Sequence, residues 1–113
     1  MVDYLTEVFA AISDPTRRAI LANLAHGEMT ISEIAEPFDM TFYAVSKHVR
    51  VLENAGLLRR EVRGREHHCS IDAAPLRKAA VWIDNYREFW EQRLEALERH
   101  VLAKRRRRKG RSR

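Results

Sequence analysis

The sequence predicts a mainly α-helical domain with one small β-hairpin. Three observations point there. Apolar residues recur at spacings of three and four along most of the chain. Capping and stop residues cut that pattern into separate helices. One short stretch, from Leu58 to Ile71, alternates instead around a glycine-bearing turn. A length of 113 residues gives one domain with no room for a second core.

The first helix is expected over Asp3 to Ser13, with Leu5, Val8, Phe9 and Ile12 on one face. Ser13-Asp14-Pro15 reads as a stop followed by a new start, because Asp14 suits an N-cap and Pro15 the first helical position. The second helix then runs to about Ala25, turning Ile20, Leu21 and Leu24 inward, and ends at His26-Gly27. Thr30-Ile31-Ser32-Glu33 has the spacing of a capping box and opens a short third helix. Pro37 disfavours helix at Glu36 and closes it. Asp39-Met40-Thr41 makes a three-residue turn, and Thr41 caps a fourth helix from about Phe42 to Asn54. Val45, Val49 and Leu52 form its buried stripe. Leu58–Val62 and His67–Ile71 read as strands flanking Arg63-Gly64-Arg65-Glu66. Asp72-Ala73-Ala74-Pro75 opens a long last helix with apolar positions Leu76, Ala79, Ile83, Tyr86, Trp90, Leu94, Leu97 and Val101. The domain is thus expected over residues 1–103. The segment 104–113 is basic, lacks apolar residues and is expected to be disordered.

The net charge of +5 hides two opposed regions. Residues 104–113 hold eight of the 21 Lys and Arg and no acid, which leaves the rest of the chain at net −3. Within that rest, residues 1–40 carry −5 and residues 41–67 carry +3. Local positive charge on an acidic scaffold points to a polyanionic partner. The single cysteine, Cys69, excludes an internal disulfide. The N-terminal residues lack the pattern of a secretory signal, and no apolar run reaches the roughly 18 residues of a membrane span. A cytoplasmic protein without membrane partners is expected. The familiar catalytic motifs are missing, so an enzyme is not expected.

Two helices across a tight turn, followed by an arginine-bearing hairpin, make a winged helix-turn-helix. In such a module the second helix lies in the major groove of duplex DNA. Tyr43, Ser46, Lys47 and Arg50 recur at three- and four-residue spacing, opposite the buried stripe, and offer hydrogen-bond donors for bases and phosphates. Thr41, at the helix start, suits a phosphate. Arg60, Arg63 and Arg65 on the hairpin suit phosphate or minor-groove contact. A merely solvated face would also carry such residues, but not a positive segment on an acidic body with an arginine hairpin directly after it.

The stretches Phe9-Ala10-Ala11-Ile12-Ser13-Asp14-Pro15-Thr16-Arg17-Arg18-Ala19-Ile20-Leu21 and Ala44-Val45-Ser46-Lys47-His48-Val49-Arg50-Val51-Leu52-Glu53-Asn54-Ala55-Gly56-Leu57 resemble the ArsR/SmtB family of repressors. That resemblance covers about residues 4–101. It implies a homodimer joined through the first and last helices, here through Leu5, Val8, Phe9, Ile83, Tyr86, Trp90, Leu94 and Leu97. It also implies a palindromic operator, and repression that often includes the protein's own promoter. The family's metal sites are not matched. The stretch from Thr30 to Asp39 has no Cys or His, and the last helix has no His pair at ligand spacing. The chain therefore resembles the metal-independent branch, and no metal or cofactor is expected.

Several alternatives stay open. His67 and Cys69 share a strand face and are two metal-type ligands, where a structural zinc needs four. A metal- or thiol-responsive sensor is thus one alternative, and a dimeric RNA- or protein-binding module is another. His48 lies at the edge of the buried stripe, which favours a structural hydrogen bond over a DNA contact. Trp82, Tyr86 and Trp90 have the spacing of core residues, with a small-molecule pocket as the lesser reading.

Overall fold

The computed structural model describes residues 3–111. In chain order the elements are α1 (Tyr4–Ile12), α2 (Pro15–Leu24), β1 (Met29–Thr30), α3 (Ile31–Ala35), α4 (Phe42–Asn54), β2 (Leu58–Arg63), β3 (Glu66–Ile71) and α5 (Ala74–Arg111). Two compact units divide at Ala79 and Ala80, inside α5.

The first unit is built on the caps that the sequence encodes. Asp3 accepts from the Thr6 backbone N–H at 2.9 Å, and Asp14 from that of Arg17 at 3.0 Å. Thr30 and Glu33 form the reciprocal capping box. These bonds satisfy helix N–H groups that have no partner inside their own helix. They also hold the Asp3, Asp14 and Glu33 carboxyls below their ordinary values, chiefly through the backbone N–H groups of Thr6, Arg17 and Thr30.

A carboxyl whose folded value is depressed contributes stability above its unfolded value, and that contribution is lost as pH falls through the folded one. Thermal midpoints are therefore expected to hold near neutrality and to drop once pH falls below the ordinary aspartate value of 3.8. Asp14→Asn keeps a capping oxygen that does not titrate. Its midpoint should fall less steeply with acid than that of the parent. Parallel pH dependences would contradict the assigned role of Asp14.

The core gathers Val8 and Ala11 of α1, Ile20, Leu21 and Leu24 of α2, and Ile31 and Ile34 of α3. Val45, Val49 and Leu52 of α4, Ala55, Leu57, Leu58, Cys69 and Ala79 complete it. Leu5, Phe9 and Ile12 pack against its edge. Val8 has no exposure at all, so it belongs to the core of one chain and is withdrawn from the expected dimer face. Periodicity placed it correctly on the inner face of α1 but did not separate inner from outer partners.

The sheet has order β1-β3-β2 and is antiparallel throughout. The β2–β3 hairpin closes through Gly64-Arg65, flanked by the pair Arg63↔Glu66. Gly64 has φ 62°, and no described non-glycine residue has positive φ. A positive φ at the first of two loop residues is the pattern of a type II′ hairpin, for which glycine is the favoured residue.

Three expectations are corrected. Strand β1, pairing Met29 with Cys69 and Thr30 with His68, was not foreseen, because two residues carry no alternation to detect. The link between α3 and α4 is six residues long, Glu36 to Thr41, not three. Helix α3 already stops at Ala35, ahead of Pro37. Finally, α5 continues through Arg111, where the sequence predicts disorder from 104. Arg and Lys are good helix formers, and cations are favoured at a helix C-terminus by its dipole.

In the second unit α5 is exposed along its described length. Ile83, Tyr86, Trp90, Leu94, Leu97 and Val101 lie between 41% and 60% exposed. Trp82 stacks on Tyr86 at 4.4 Å, and the Arg93 guanidinium sits over Phe89 at 4.2 Å.

Candidate nucleic-acid interface

Helix α4 is held at its start by Thr41, whose Oγ1 accepts from the Ala44 N–H at 3.1 Å. Val45, Val49 and Leu52 have no exposure and anchor its inner face. The outer face is fixed by that anchoring. Tyr43 is 71% exposed, and Lys47 and Arg50 are exposed beside it. The Lys47 ammonium lies 5.5 Å from the centroid of the Tyr43 ring. From Thr41 to Leu52 the chain has no acidic residue.

Ser46 departs from the expected surface. Its Oγ is enclosed and has no hydrogen-bond partner. At 3.6 residues per turn Ser46 lies only about 60° around the helix from Val49, so it borders the buried stripe. Three- and four-residue spacing groups Ser46 with Tyr43 and Arg50 but does not reveal that border position.

Helix α4 is braced from below by Arg17 of α2. Its guanidinium donates to the carbonyls of Ala10 and Ala11, and its Nη1 lies 3.2 Å from His48 Nδ1. His48 also stands 3.9 Å from an Asp14 oxygen. His48 thus has the structural hydrogen bond expected for it. The bracing role of Arg17 was missed. Its signal is an arginine three residues after a capping aspartate, which local pattern alone does not connect to α4.

The wing arginines separate into three situations. Arg60 is turned inward: Nη2 pairs with Glu53 at 3.3 Å, Nη1 lies 3.3 Å from His67 Nδ1, and Nε is enclosed without a partner. It ties β2 to the end of α4. Arg63 bonds both Glu28 oxygens at 2.8 and 3.3 Å, and Glu61 at 3.0 Å. Donating to the Glu61 and then the Glu28 carboxylate raises its guanidinium above its ordinary value. A phosphate must compete with two carboxylates for it. Arg65, at the turn, is exposed and has no carboxylate partner among the described residues. Alternation on a strand does not reveal such pairing, because Glu28 is 35 residues away in sequence.

The residues do not fit a metal centre. Cys69 is buried, and burial pushes its thiol above the ordinary value, away from the thiolate a metal needs. His67 faces Arg60, and His68 faces Glu28 and Glu66 at 3.1 and 3.4 Å. Among the described residues no group of three or more His, Cys, Asp or Glu is placed to hold an ion. No described helix is long and apolar enough to cross a membrane.

Residues 12–61 match a family model described as a helix-turn-helix domain. The chain is 35% identical over 82 residues to the transcriptional repressor SdpR of Bacillus subtilis, covering 73% of this chain and 91% of that protein. Its fold is similar to the crystal structure of an ArsR family transcriptional regulator, with TM-score 0.75 and 39% identity, over 79% of this chain and 98% of that one. It is also similar to a homodimeric winged helix-turn-helix DNA-binding domain from Mycobacterium bovis, a possible ArsR-family regulator. That match has TM-score 0.62 and 25% identity, over 76% of this chain and 81% of the other.

Proposed function

The chain belongs to the ArsR family of winged helix-turn-helix transcriptional regulators, which bind DNA and are not enzymes, and from that premise we propose that it is a sequence-specific repressor acting as a homodimer on a palindromic operator. The observation that carries this reading is the exposed, acid-free face of α4, with Tyr43, Lys47 and Arg50, on a chain whose first 40 residues are acidic. Lys47 and Arg50 read base edges. Arg65 reaches phosphate or the minor groove, and Arg63 joins it once DNA displaces Glu28. Thr41 contributes the helix start, while Ser46 and Arg60 serve α4 and the wing from within. Regulation does not pass through a metal at the wing, because His67 and His68 are engaged by Arg60 and Glu28 and Cys69 is buried. The protein works in the cytoplasm, with its DNA.

Dimerisation uses the apolar row Ile83, Tyr86, Trp90, Leu94 and Leu97 of α5, with Leu5 and Phe9 of α1. Five large apolar side chains exposed in one row favour cover by a second copy. The dimer sets two reading helices about one helical turn of DNA apart. SdpR is a repressor and the M. bovis domain is a homodimer, which supports extending both properties to this chain.

Footprinting on the DNA upstream of its own gene tests the reading. Two protected patches, about 10 base pairs apart and symmetric in sequence, are expected. Absence of protection at low salt would contradict autoregulation.

The basic segment 104–113 adds affinity without sequence preference, because its eight cations contact phosphates. Removing it is expected to weaken binding to all duplexes alike and to flatten the dependence of log K on log salt. An unchanged slope would refute the role.

A further inference from the structure

The start of α4 carries two adjacent aromatic rings in open solvent. Phe42 is 56% exposed and Tyr43 71%, the latter the highest among the large hydrophobics of the described residues. Rings of this size normally bury most of their surface. Tyr43 lies at the centre of the outer face, in line with Lys47 and Arg50, and the Lys47 ammonium is held over its ring. Phe42 lies to the wing side and borders a hollow of about 260 Å³ shared with Ile31 and Arg65.

The neighbouring charge decides what such rings meet. The helix has no acid before Glu53 and two exposed cations, so its complement is a polyanion. In the major groove of duplex DNA the apolar group offered by a base edge is the C5-methyl of thymine.

We infer that Tyr43, flanked by Phe42, reads thymine through its ring, against the C5-methyl group, and not through its hydroxyl. The ring also holds the Lys47 ammonium beside the same base step, so the two side chains act on neighbouring positions. This inference rests on the DNA-reading function proposed above.

The test begins with duplexes selected by the full chain from a random-sequence pool. Each thymine is then replaced singly by deoxyuridine, which removes only the methyl group. One thymine in each half-site is expected to lose about threefold to fivefold in affinity on replacement. Tyr43→Phe should bind the parent duplex within about twofold and keep the same sensitivity. Tyr43→Ala should bind the parent duplex severalfold more weakly and lose the sensitivity at that thymine. Indifference to deoxyuridine at every position would overturn the inference and leave DNA reading intact. So would equal damage from Tyr43→Phe and Tyr43→Ala, which would place the contact at the hydroxyl. A change of oligomeric mass in Phe42→Ala or Tyr43→Ala would assign the rings to a protein interface and overturn it too. Failure to enrich any sequence would sink the DNA-reading function itself.

Discussion

Replacing Lys47 and Arg50 together by alanine is expected to lower affinity for a selected duplex by roughly 10²- to 10⁴-fold. Each is exposed on α4, and neither contributes to the core. A well-placed base contact discriminates by about 1–3 kcal/mol, and two of them multiply. Removal leaves no buried polar group without a partner, so folding should be unaffected. The double variant should keep its helical circular dichroism and its oligomeric mass, and its melting midpoint should stay within a few degrees of the parent. Retained specific binding in a folded double variant would remove α4 as the reading helix. Loss of binding accompanied by unfolding is not expected from side chains that touch nothing in the core.

The second large effect lies on the opposite face of the same helix. Leu52→Ala is expected to destabilise the fold by about 3 kcal/mol, because a fully buried leucine leaves both lost transfer energy and a cavity. In a unit of this size that corresponds to a fall of roughly 12–24 °C in the melting midpoint. Val51→Ala, one residue earlier and 39% exposed, should change stability by less than about 0.5 kcal/mol. A thermal melt of both variants reads the difference. Equal effects would mean that α4 does not pack as described. The pair also separates stability from recognition, since Leu52 faces the core and should cost affinity only through unfolding.

Helices α1 to α4 were legible in the sequence because local chemistry encodes them. Asp14-Pro15, the Thr30–Glu33 box and Thr41 each mark a helix start within a residue of its place. The hairpin was legible from Gly64 between alternating strands, with bounds one residue short at two ends. The exposed face of α4 was largely legible, since Tyr43, Lys47 and Arg50 are exposed opposite a fully buried stripe.

What was not legible depends on contacts between distant parts of the chain. The sequence does not show that Arg60 turns in toward Glu53, or that Arg63 is held by Glu28. It does not show Arg17 reaching His48 across 31 residues. Val8 was assigned to a dimer face because periodicity groups it with Leu5 and Phe9: Val8 is fully buried within one chain, while Leu5 and Phe9 lie at the edge of the core. The basic end of α5 was read as disordered because composition weighs like-charge repulsion but not the helix already formed ahead of it.

The central claim is that this chain distinguishes one DNA sequence from another through α4. Its most direct test is the ratio of affinities for an enriched duplex and a scrambled duplex of equal length and composition. Both must be measured at the same physiological salt, because phosphate contacts alone change steeply with ionic strength. A ratio on the order of 10³ or more is expected. A ratio near one, with both duplexes bound, would mean that the cations of the wing and the C-terminal segment do all the binding and that α4 reads nothing.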